Sequence, residues 1–131
     1  MIATDTSALI AILGGEPAAE ECLRALVDAD AVALSAANLL EAGVVAEGRF
    51  GSDGGHELDR LLLTHAVEIV PVDAGQANLA RYAYRSYGKG HHPAGLNFGD
   101  CFSYALAMTL AVPLLFVGND FRQTDVEAVL A

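Results

Sequence analysis

The chain consists of two kinds of apolar run that follow one another in turn. Short runs of β-branched and other apolar side chains, without a polar face, predict strands that are buried on both sides. Longer stretches with apolar residues at every third or fourth position predict helices that pack one face against those strands. The predicted strands are Met1–Thr4, Ala31–Leu34, Val67–Val72 and Leu114–Val117, with a further short strand near Val126–Leu130.

The stretches between these strands carry helical spacing, and capping residues indicate some of their ends. Gly14 and Gly15 suit a left-handed C-cap, and Pro17 suits the first turn of the next helix. Four glycines between positions 48 and 55 predict a flexible corner, and 88–95 is predicted to be a loop. The predicted helices are Ser7–Leu13, Pro17–Val27, a run capped by Ser35 that carries Leu39, Leu40, Val44 and Val45, a run around Leu58, Leu61 and Leu62, Ala74–Tyr87, and about Asp100–Ala111.

Strands that alternate with helices in this way predict an α/β fold with a central parallel sheet. The sheet is expected to have four to five strands and to be flanked by helices on both faces, because its strands have no polar face. A length of 131 residues predicts one domain, 1–131, with a core of its own.

The formal net charge is −10, from 17 acidic and 7 basic residues. Such a charge opposes general electrostatic binding to nucleic acid or to an anionic membrane. A contact with nucleic acid is therefore expected to be local or bridged by metal. The same field favours a basic protein partner, and a hydrophobic content of 53% is consistent with apolar surface that a partner covers.

Neither export nor membrane insertion is expected. No basic segment precedes the first apolar run, and the uncharged stretch 101–119 is interrupted by polar residues and by Pro113. Cys22 and Cys101 lie far apart in apolar segments, so they are predicted to be buried thiols of a reduced, cytoplasmic protein with no disulfide.

Four acidic residues fall at corresponding places in the predicted sheet. Asp5 follows the first strand, and Glu41 lies two turns into the helix after the second. Asp100 opens a helix, and Asp120 follows the strand 114–117. Because functional groups gather beyond the carboxyl ends of parallel strands, these acids are expected to converge on one edge.

Taken singly, the acids have simpler explanations. Asp5 and Asp100 suit helix N-termini through the helix dipole, and Asp120 suits a turn. Glu41 is harder to explain, because its neighbours in LSAANLLEAGVV are small or apolar and a carboxylate in that setting needs a partner.

Crowded carboxylates repel one another unless a cation neutralises them, and the chain offers few basic partners. An all-oxygen ligand set suits Mg²⁺, with Mn²⁺ as the alternative, and the Cys and His residues lack zinc spacing. A hard metal with open coordination positions can activate water against a phosphodiester. The acids therefore predict a metal-dependent nuclease.

Four segments also carry a family resemblance. MIATDTSALIAIL, LSAANLLEA, LNFGDCFSYALA and LLFVGNDFRQTDV resemble, in order, the motifs of the PIN-domain ribonucleases, specifically the VapC-type toxins of toxin–antitoxin pairs. The resemblance covers essentially the whole chain. It implies a PIN-like domain, a Mg²⁺- or Mn²⁺-dependent endoribonuclease that cuts RNA, a homodimer, and a cognate antitoxin that wraps the toxin and enters its active site.

The same resemblance assigns the catalytic, metal-binding acids to Asp5, Glu41, Asp100 and Asp120. The small hydroxyl after the first acid falls on Thr6 or Ser7. Many relatives have two adjacent acids after the last long strand, whereas this chain has Asn119 and then Asp120, so Asn119, Asp120 or Asp125 is left to complete the site. Asn38, one turn before Glu41, is expected on the same face, where it could hold a metal-bound water.

One segment of this acidic chain is basic. Arg81 and Arg85 are four residues apart on a predicted helix, and Lys89 follows in the loop. The three basic side chains are predicted to hold RNA phosphates, and the nearby Tyr84 and Tyr87 to stack on a nucleobase. A solvated helix face with core tyrosines is the alternative interpretation. The neighbouring His91 or His92 could serve as a general base, although a metal site makes a histidine unnecessary.

Two other functions stay open from the residues. The first is a PIN-type nuclease without a toxin role, acting in RNA processing or on DNA. The second is a non-enzymatic α/β signalling domain that takes phosphate on an aspartate. A signalling domain of that kind would have a lysine directly after a late strand, whereas Lys89, the one lysine, falls in a predicted loop.

Overall fold

The computed structural model describes residues 1–131 and contains four short parallel strands. In chain order they are β1 (Ile2–Thr4), β2 (Val32–Ser35), β3 (Glu68–Val70) and β4 (Leu114–Leu115). They lie in the sheet in the order β3-β2-β1-β4, so β1 occupies a central position. Ile2 pairs with Val32 on one side of β1, and Ala3 pairs with Leu114 on the other. The α/β fold with a parallel sheet of four to five strands is confirmed.

Six α-helices connect and cover the strands. Several begin at side chains that accept a hydrogen bond from the first turn, as polar N-caps do. Asp5, Ser35, Asp73 and Asn97 act in this way for the first, third, fifth and sixth helices. The helices are α1 (Thr6–Leu13), α2 (Ala19–Asp28), α3 (Ala36–Phe50), α4 (Ser52–Thr64), α5 (Ala74–Tyr87) and α6 (Phe98–Leu110), and a 3₁₀ turn covers Asp120–Gln123.

The core has two parts, one on each face of the sheet. Successive strand residues point to opposite faces, so Leu114 enters one part and Leu115 the other. Helices α1 to α4 supply apolar side chains to one face, and α5 and α6 cover the other. Cys22 and Cys101 are buried, free thiols in different parts of the core, as predicted. None of the helices has the length and apolar character that a membrane span would need.

The predicted helix boundaries need three corrections. The expected flexible corner is absent, because α3 continues to Phe50 and α4 starts at Ser52, leaving Gly51, with φ +73°, as the only break. At the end of α1 the left-handed residue is Gly15 (φ +60°), whereas Gly14 is right-handed. Pro17 lies in the turn before α2, which begins only at Ala19.

The edges of the sheet also differ from the prediction. β3 is shorter than 67–72 and is partly open to solvent, with Ile69 38% exposed, because it forms the edge of the sheet. At the opposite edge, the expected strand near 126–130 is reduced to one bridge between Leu114 and Ala128. Both faces of the central strands are covered, but the β3 edge is not.

Candidate active site

The four predicted acids line one cleft at the carboxyl edge of the sheet. Asp5 directly follows β1, Glu41 comes from α3, Asp100 lies in the first turn of α6, and Asp120 opens the 3₁₀ turn after β4. The cleft has a volume of about 300 Å³. The convergence on one edge of four acids that are remote in sequence is confirmed. We call this cavity the acidic cleft.

Asp5 is held from two sides. Its Oδ2 accepts a hydrogen bond from the backbone N–H of Ser7 at 3.0 Å, and the Ser103 hydroxyl donates to its Oδ1. The side chain is buried, with 3% exposure. The residue therefore caps α1 and, at the same time, presents a carboxylate of fixed orientation at the end of β1.

Asp100 is held by a capping box at the start of α6. The backbone N–H of Asn97 donates to Asp100 Oδ2 at 3.0 Å, and the Asp100 N–H donates to Asn97 Oδ1 at 2.8 Å. The predicted start of this helix was two residues late, since α6 begins at Phe98 and Asp100 occupies its third position. Both the helix start and the cap turn the carboxylate of Asp100 toward the cleft.

Glu41 is fixed by two donors that meet at one oxygen. The Thr6 hydroxyl donates to Glu41 Oε1 at 2.6 Å, and Asn38 Nδ2 donates to the same oxygen at 3.1 Å. The other oxygen, Oε2, lies against the backbone of Gly99, where an added Cβ would come within 2.0 Å of it. Glycine at position 99 therefore gives Glu41 its place in the cleft.

Ser103 and Asn38 connect these groups beneath the cleft. Both are fully buried, and the Ser103 hydroxyl lies 3.1 Å from Asn38 Oδ1 as well as within hydrogen-bonding distance of Asp5. Asn38 Nδ2 donates to Gly99 O at 3.0 Å in addition to Glu41. No buried side-chain nitrogen or oxygen in the structure lacks a partner. The expectation that Asn38 holds a water is corrected: its amide is used within the protein, where it supports Glu41.

The two hydroxyls after the first acid have different roles. Thr6 holds Glu41, whereas the Ser7 hydroxyl accepts a hydrogen bond from the backbone N–H of Val117 at 3.0 Å. Thr6 is therefore the hydroxyl that acts on an acid of the cleft. Ser7 ties the end of β4 to the start of α1.

Burial and mutual repulsion perturb the two central acids. Burial raises the pKa of Asp100 to about 8, with the negative charge of Asp5 as the second cause and Asp120 acting in the same direction. Burial also raises the pKa of Asp5, against hydrogen bonds from Ser103 and Ser7, and the charge of Glu41 adds to the rise. None of the four acids is in a salt bridge. The one base that lines the cleft, Arg49, lies 4.0 Å from Glu16 instead.

These features fit a divalent cation with oxygen ligands. Two buried carboxylates of like charge, without a basic partner, are stabilised in their ionised form by a cation between them. No three of the His, Cys, Asp and Glu side chains come close enough to enclose an ion by themselves. Such an open donor set suits Mg²⁺, which usually keeps several waters and takes only one or two protein carboxylates.

Among the candidates after β4, Asp120 lines the cleft, and Asn119 and Asp125 do not. Asn119 is exposed at the start of the 3₁₀ turn. Asp125 Oδ1 accepts a hydrogen bond from the Tyr104 hydroxyl at 2.7 Å, outside the cleft. The structure therefore places neither Asn119 nor Asp125 where it would complete the acid set.

The predicted RNA-binding bases lie at a second cavity. Arg81, Arg85 and Lys89 line a groove of about 820 Å³ between α5, the loop 88–97 and the start of α6. We call it the aromatic groove, after the residues Tyr84, His91, Phe98 and Phe102 in its lining. His91 and His92 do not line the acidic cleft, so the structure does not place a histidine base there.

Reasoning from the sequence missed four residues of the site: Ser103, Gly99, Asn97 and Arg49. Asn97 could have been found, because Asn three positions before Asp100 is a capping-box pattern. Ser103 lies one turn after Asp100 on α6, but nothing in its local sequence indicates Asp5 as its partner. Gly99 has an ordinary helical backbone, and its importance depends entirely on where Glu41 lies.

Comparisons with known proteins identify the family of the chain. The PIN domain family pattern matches residues 2–127. The chain is 57% identical over 125 residues to "Ribonuclease VapC" of Mycolicibacterium smegmatis, covering 95% of this chain and 97% of that protein. It is also 56% identical over 126 residues to "Ribonuclease VapC30" of Mycobacterium tuberculosis, covering 95% of each.

Two solved structures share the fold at lower identity. VapC20 of Mycobacterium tuberculosis, described as a sarcin-ricin loop cleaving toxin, superposes with a TM-score of 0.79 at 20% identity over 98% of both chains. A toxin–antitoxin complex from Klebsiella pneumoniae gives a TM-score of 0.70 at 19% identity, over 95% of this chain and 93% of that one.

The fold, the acidic cleft and these matches define a PIN-domain protein. The chain belongs to the PIN-domain family, and close relatives within it are VapC ribonucleases. The predicted family resemblance is confirmed.

Proposed function

We propose that this chain is an endoribonuclease that acts as the toxin of a toxin–antitoxin pair. One observation carries the chemical part: Asp5 and Asp100 are buried in one cleft with raised pKa values and no basic partner. Such an arrangement is unfavourable in itself and becomes favourable when the cleft binds a cation. The relatives named as VapC ribonucleases support the same conclusion.

Asp5 and Asp100 would hold Mg²⁺ directly, with Mn²⁺ as the alternative. Glu41 and Asp120 at the rim would orient its waters. When bound, the ion supplies an activated water and stabilises the charge that develops at a phosphodiester. The protein contributes fixed orientation: Ser103 and Ser7 hold Asp5, the capping box holds Asp100, and Thr6 with Asn38 holds Glu41.

RNA is the proposed substrate. A chain of net charge −10 repels phosphates except where basic side chains cluster. Arg81, Arg85 and Lys89 form such a cluster, and they line the cavity next to the acidic cleft. We assign them to phosphate contacts that bring the chain of the RNA toward the cleft. We also propose that the chain acts in the cytoplasm, where RNA is present and where its two free, buried cysteines would stay reduced.

The proposed partners are a cognate antitoxin and a second copy of the chain. The Klebsiella pneumoniae neighbour is a toxin–antitoxin complex, which supports a partner of this kind. The acidic charge of this chain favours a basic or arginine-bearing antitoxin. The second copy is proposed from the family relationship alone.

Cleavage of structured RNA by the purified protein in Mg²⁺, Mn²⁺ or EDTA, beside an Asp100→Asn variant, tests the enzymatic part. We expect cleavage with either metal and none in EDTA or in the variant. Cleavage that persists in EDTA would refute the metal-dependent mechanism. Activity on DNA with none on RNA would favour a PIN nuclease without a toxin role.

Expression in a bacterial host tests the toxin part. We expect growth arrest with the unaltered chain and normal growth with Asp100→Asn. Normal growth during expression of a protein that cleaves RNA in vitro would refute the toxin role and leave the nuclease assignment in place.

A further inference from the structure

The aromatic groove has apolar walls made of two aromatic pairs. Phe98 and Phe102 of α6 lie edge to face, with ring centroids 5.0 Å apart. Tyr84 of α5 and His91 of the loop form a similar pair at 5.1 Å. Because both pairs line one cavity, flat apolar rings border the groove on both sides.

Phe98 is the most exposed of these rings. It is 80% exposed, although it occupies the first position of a helix whose next residues are buried. Its contact with Phe102 holds the ring at the groove while leaving most of its surface free. An aromatic face kept in water next to a cavity is available for stacking by a ligand.

Positive charge surrounds these rings. The groove is lined by Arg81, Arg85 and Lys89. These three are close to half of the 7 basic residues in the chain. The ligand that fits is therefore flat, apolar on its faces and linked to negative charge. A nucleobase with its phosphates has this combination.

The aromatic groove and the acidic cleft are adjacent and share one lining residue. Asn97 lines both cavities, since it precedes Phe98 and closes the capping box with Asp100. A nucleotide whose base occupies the groove thus has its sugar-phosphate chain directed to the acids. Neither cavity alone accounts for both the rings and the carboxylates.

We propose that the aromatic groove binds an unpaired nucleobase of the RNA substrate, stacked on Phe98, beside the phosphodiester that is cut. The proposal rests on the ribonuclease function above and makes it more specific. A base can enter the groove only when it is free of its helical stack, so the substrate class is single-stranded RNA or a loop with an extruded base.

The charge of the rim decides against a basic antitoxin segment as the occupant. The antitoxin favoured by the net charge of −10 is basic, and three positive side chains would repel it at this groove. An RNA strand has the opposite charge. The groove is thus suited to the substrate, and the acidic remainder of the surface to the antitoxin.

Binding of a single-stranded RNA oligonucleotide that carries one 2-aminopurine tests the proposal. The chain has no tryptophan, so the fluorescence of this base can be excited selectively. We expect quenching on binding to the Asp100→Asn protein, which leaves the RNA intact. Adding Phe98→Ala to that protein should weaken binding by about tenfold, whereas adding Phe98→Trp should preserve it. An oligonucleotide with an abasic site in place of the 2-aminopurine, followed by the fluorescence anisotropy of a 5′ label, should bind equally to all three.

Leu63→Ala is the matched control, because Leu63 is 82% exposed on α4 and does not line the groove. In the cleaving protein, Phe98→Ala should raise KM for RNA and leave kcat nearly unchanged. Thermal unfolding should be the same for all variants, since the exposed ring adds little to the core.

Unchanged RNA affinity in Phe98→Ala would overturn the proposal. An equal loss of affinity for the abasic oligonucleotide would also overturn it. So would a Phe98→Ala protein whose dimer dissociates, or that no longer binds antitoxin, while its RNA binding is unchanged. Failure of the groove proposal can be distinguished from failure of the proposed nuclease function. If the unaltered protein cleaves RNA and Phe98→Ala has no effect, only the groove proposal is rejected. If RNA binds with quenching of 2-aminopurine but is not cleaved in Mg²⁺, only the nuclease function is rejected.

Discussion

The acidic cleft and the aromatic groove meet at Asn97 but are built in opposite ways. Asp5, Glu41 and Asp100 in the cleft are each fixed by hydrogen-bond donors, and the supporting residues Asn38 and Ser103 are fully buried. The groove consists of one helix face, a loop and an exposed ring, with Tyr84 44% and Phe98 80% exposed.

This contrast separates chemistry from recognition. In the cleft, a displaced carboxylate loses its geometry, so small changes are expected to abolish activity. In the groove, side chains contact ligand and solvent, so changes are expected to alter affinity gradually. Substitutions in the two cavities should therefore differ both in size and in the kinetic constant they affect.

The largest effect is expected from Gly99→Ala. The new Cβ would lie 2.0 Å from Glu41 Oε2, and Glu41 would have to leave its contacts with Thr6 and Asn38. We expect kcat for RNA cleavage to fall by about a hundredfold. Thermal unfolding should change less, because the displaced atoms are the end of a flexible side chain.

Gly43→Ala on α3 is the control for that measurement. No atom lies within 4 Å of a Cβ added there, and alanine in a helix is favoured over glycine by about 0.5–1 kcal/mol. The control should cleave RNA normally and be slightly more stable. A Gly99→Ala protein with full activity would show that the position of Glu41 does not matter.

The next effect concerns the dependence of stability on pH without metal. The pKa of Asp100 is about 8 in the folded chain against an ordinary value of 3.8, so between these values the folded state binds a proton that the unfolded state releases. Stability in EDTA should therefore fall as pH rises from about 5 to 8. Mg²⁺ should reduce this decline, because it stabilises the ionised carboxylates.

Thermal unfolding between pH 5 and 8 measures this effect, with Asp100→Asn as the reference. The variant keeps Asp5, the histidines and the surface charges but lacks Asp100, so its decline should be smaller and less affected by Mg²⁺. If the melting temperature falls equally with pH in both proteins, Asp100 is not the group that causes the decline in stability.

A smaller effect is expected from Ser103→Ala. The variant removes the hydroxyl that donates to Asp5 Oδ1 and lies beside Asn38 Oδ1, so the buried Asp5 oxygen loses that donor. An unpaired buried acceptor costs about 1–3 kcal/mol of stability. Because Asp5 also loses one of its two fixing contacts, the Mg²⁺ concentration for half-maximal activity should rise. Ser103→Thr should restore part of the lost stability and part of the Mg²⁺ response.

Calorimetric titration with Mg²⁺ distinguishes a role at the site from a role in stability alone. If Ser103→Ala lowers the melting temperature without changing Mg²⁺ affinity, the hydroxyl is only structural.

The smallest effect is expected in the groove rim. Replacing Arg81, Arg85 or Lys89 singly with glutamine should weaken RNA binding about fourfold at physiological salt and reduce the salt slope of log K by about 0.7, the contribution of one phosphate contact to a single strand. kcat should not change. Replacing Arg24 and Arg60, which do not line this groove, should leave the slope unaltered.

The sequence was sufficient for the parts of the molecule that local patterns determine. Alternating apolar runs predict the strands and helices, and strand ends predict where Asp5 and Asp120 lie. It was insufficient where an outcome depends on contacts between distant segments. Ser103 and Gly99 show no local signal, because their roles come from Asp5 and Glu41 on other elements. The glycines between 48 and 55 misled because most of them are held in packed helices.

The contact between Ser103 and Asp5 joins residues 98 positions apart. A ribosome making this chain completes β1 and its carboxylate early, yet one of the two groups that orient the carboxylate, the Ser103 hydroxyl, comes from α6 and is made much later. The nascent polypeptide therefore carries the first acid long before it has a working centre. Catalytic competence therefore requires that α6 has been made and has folded against β1.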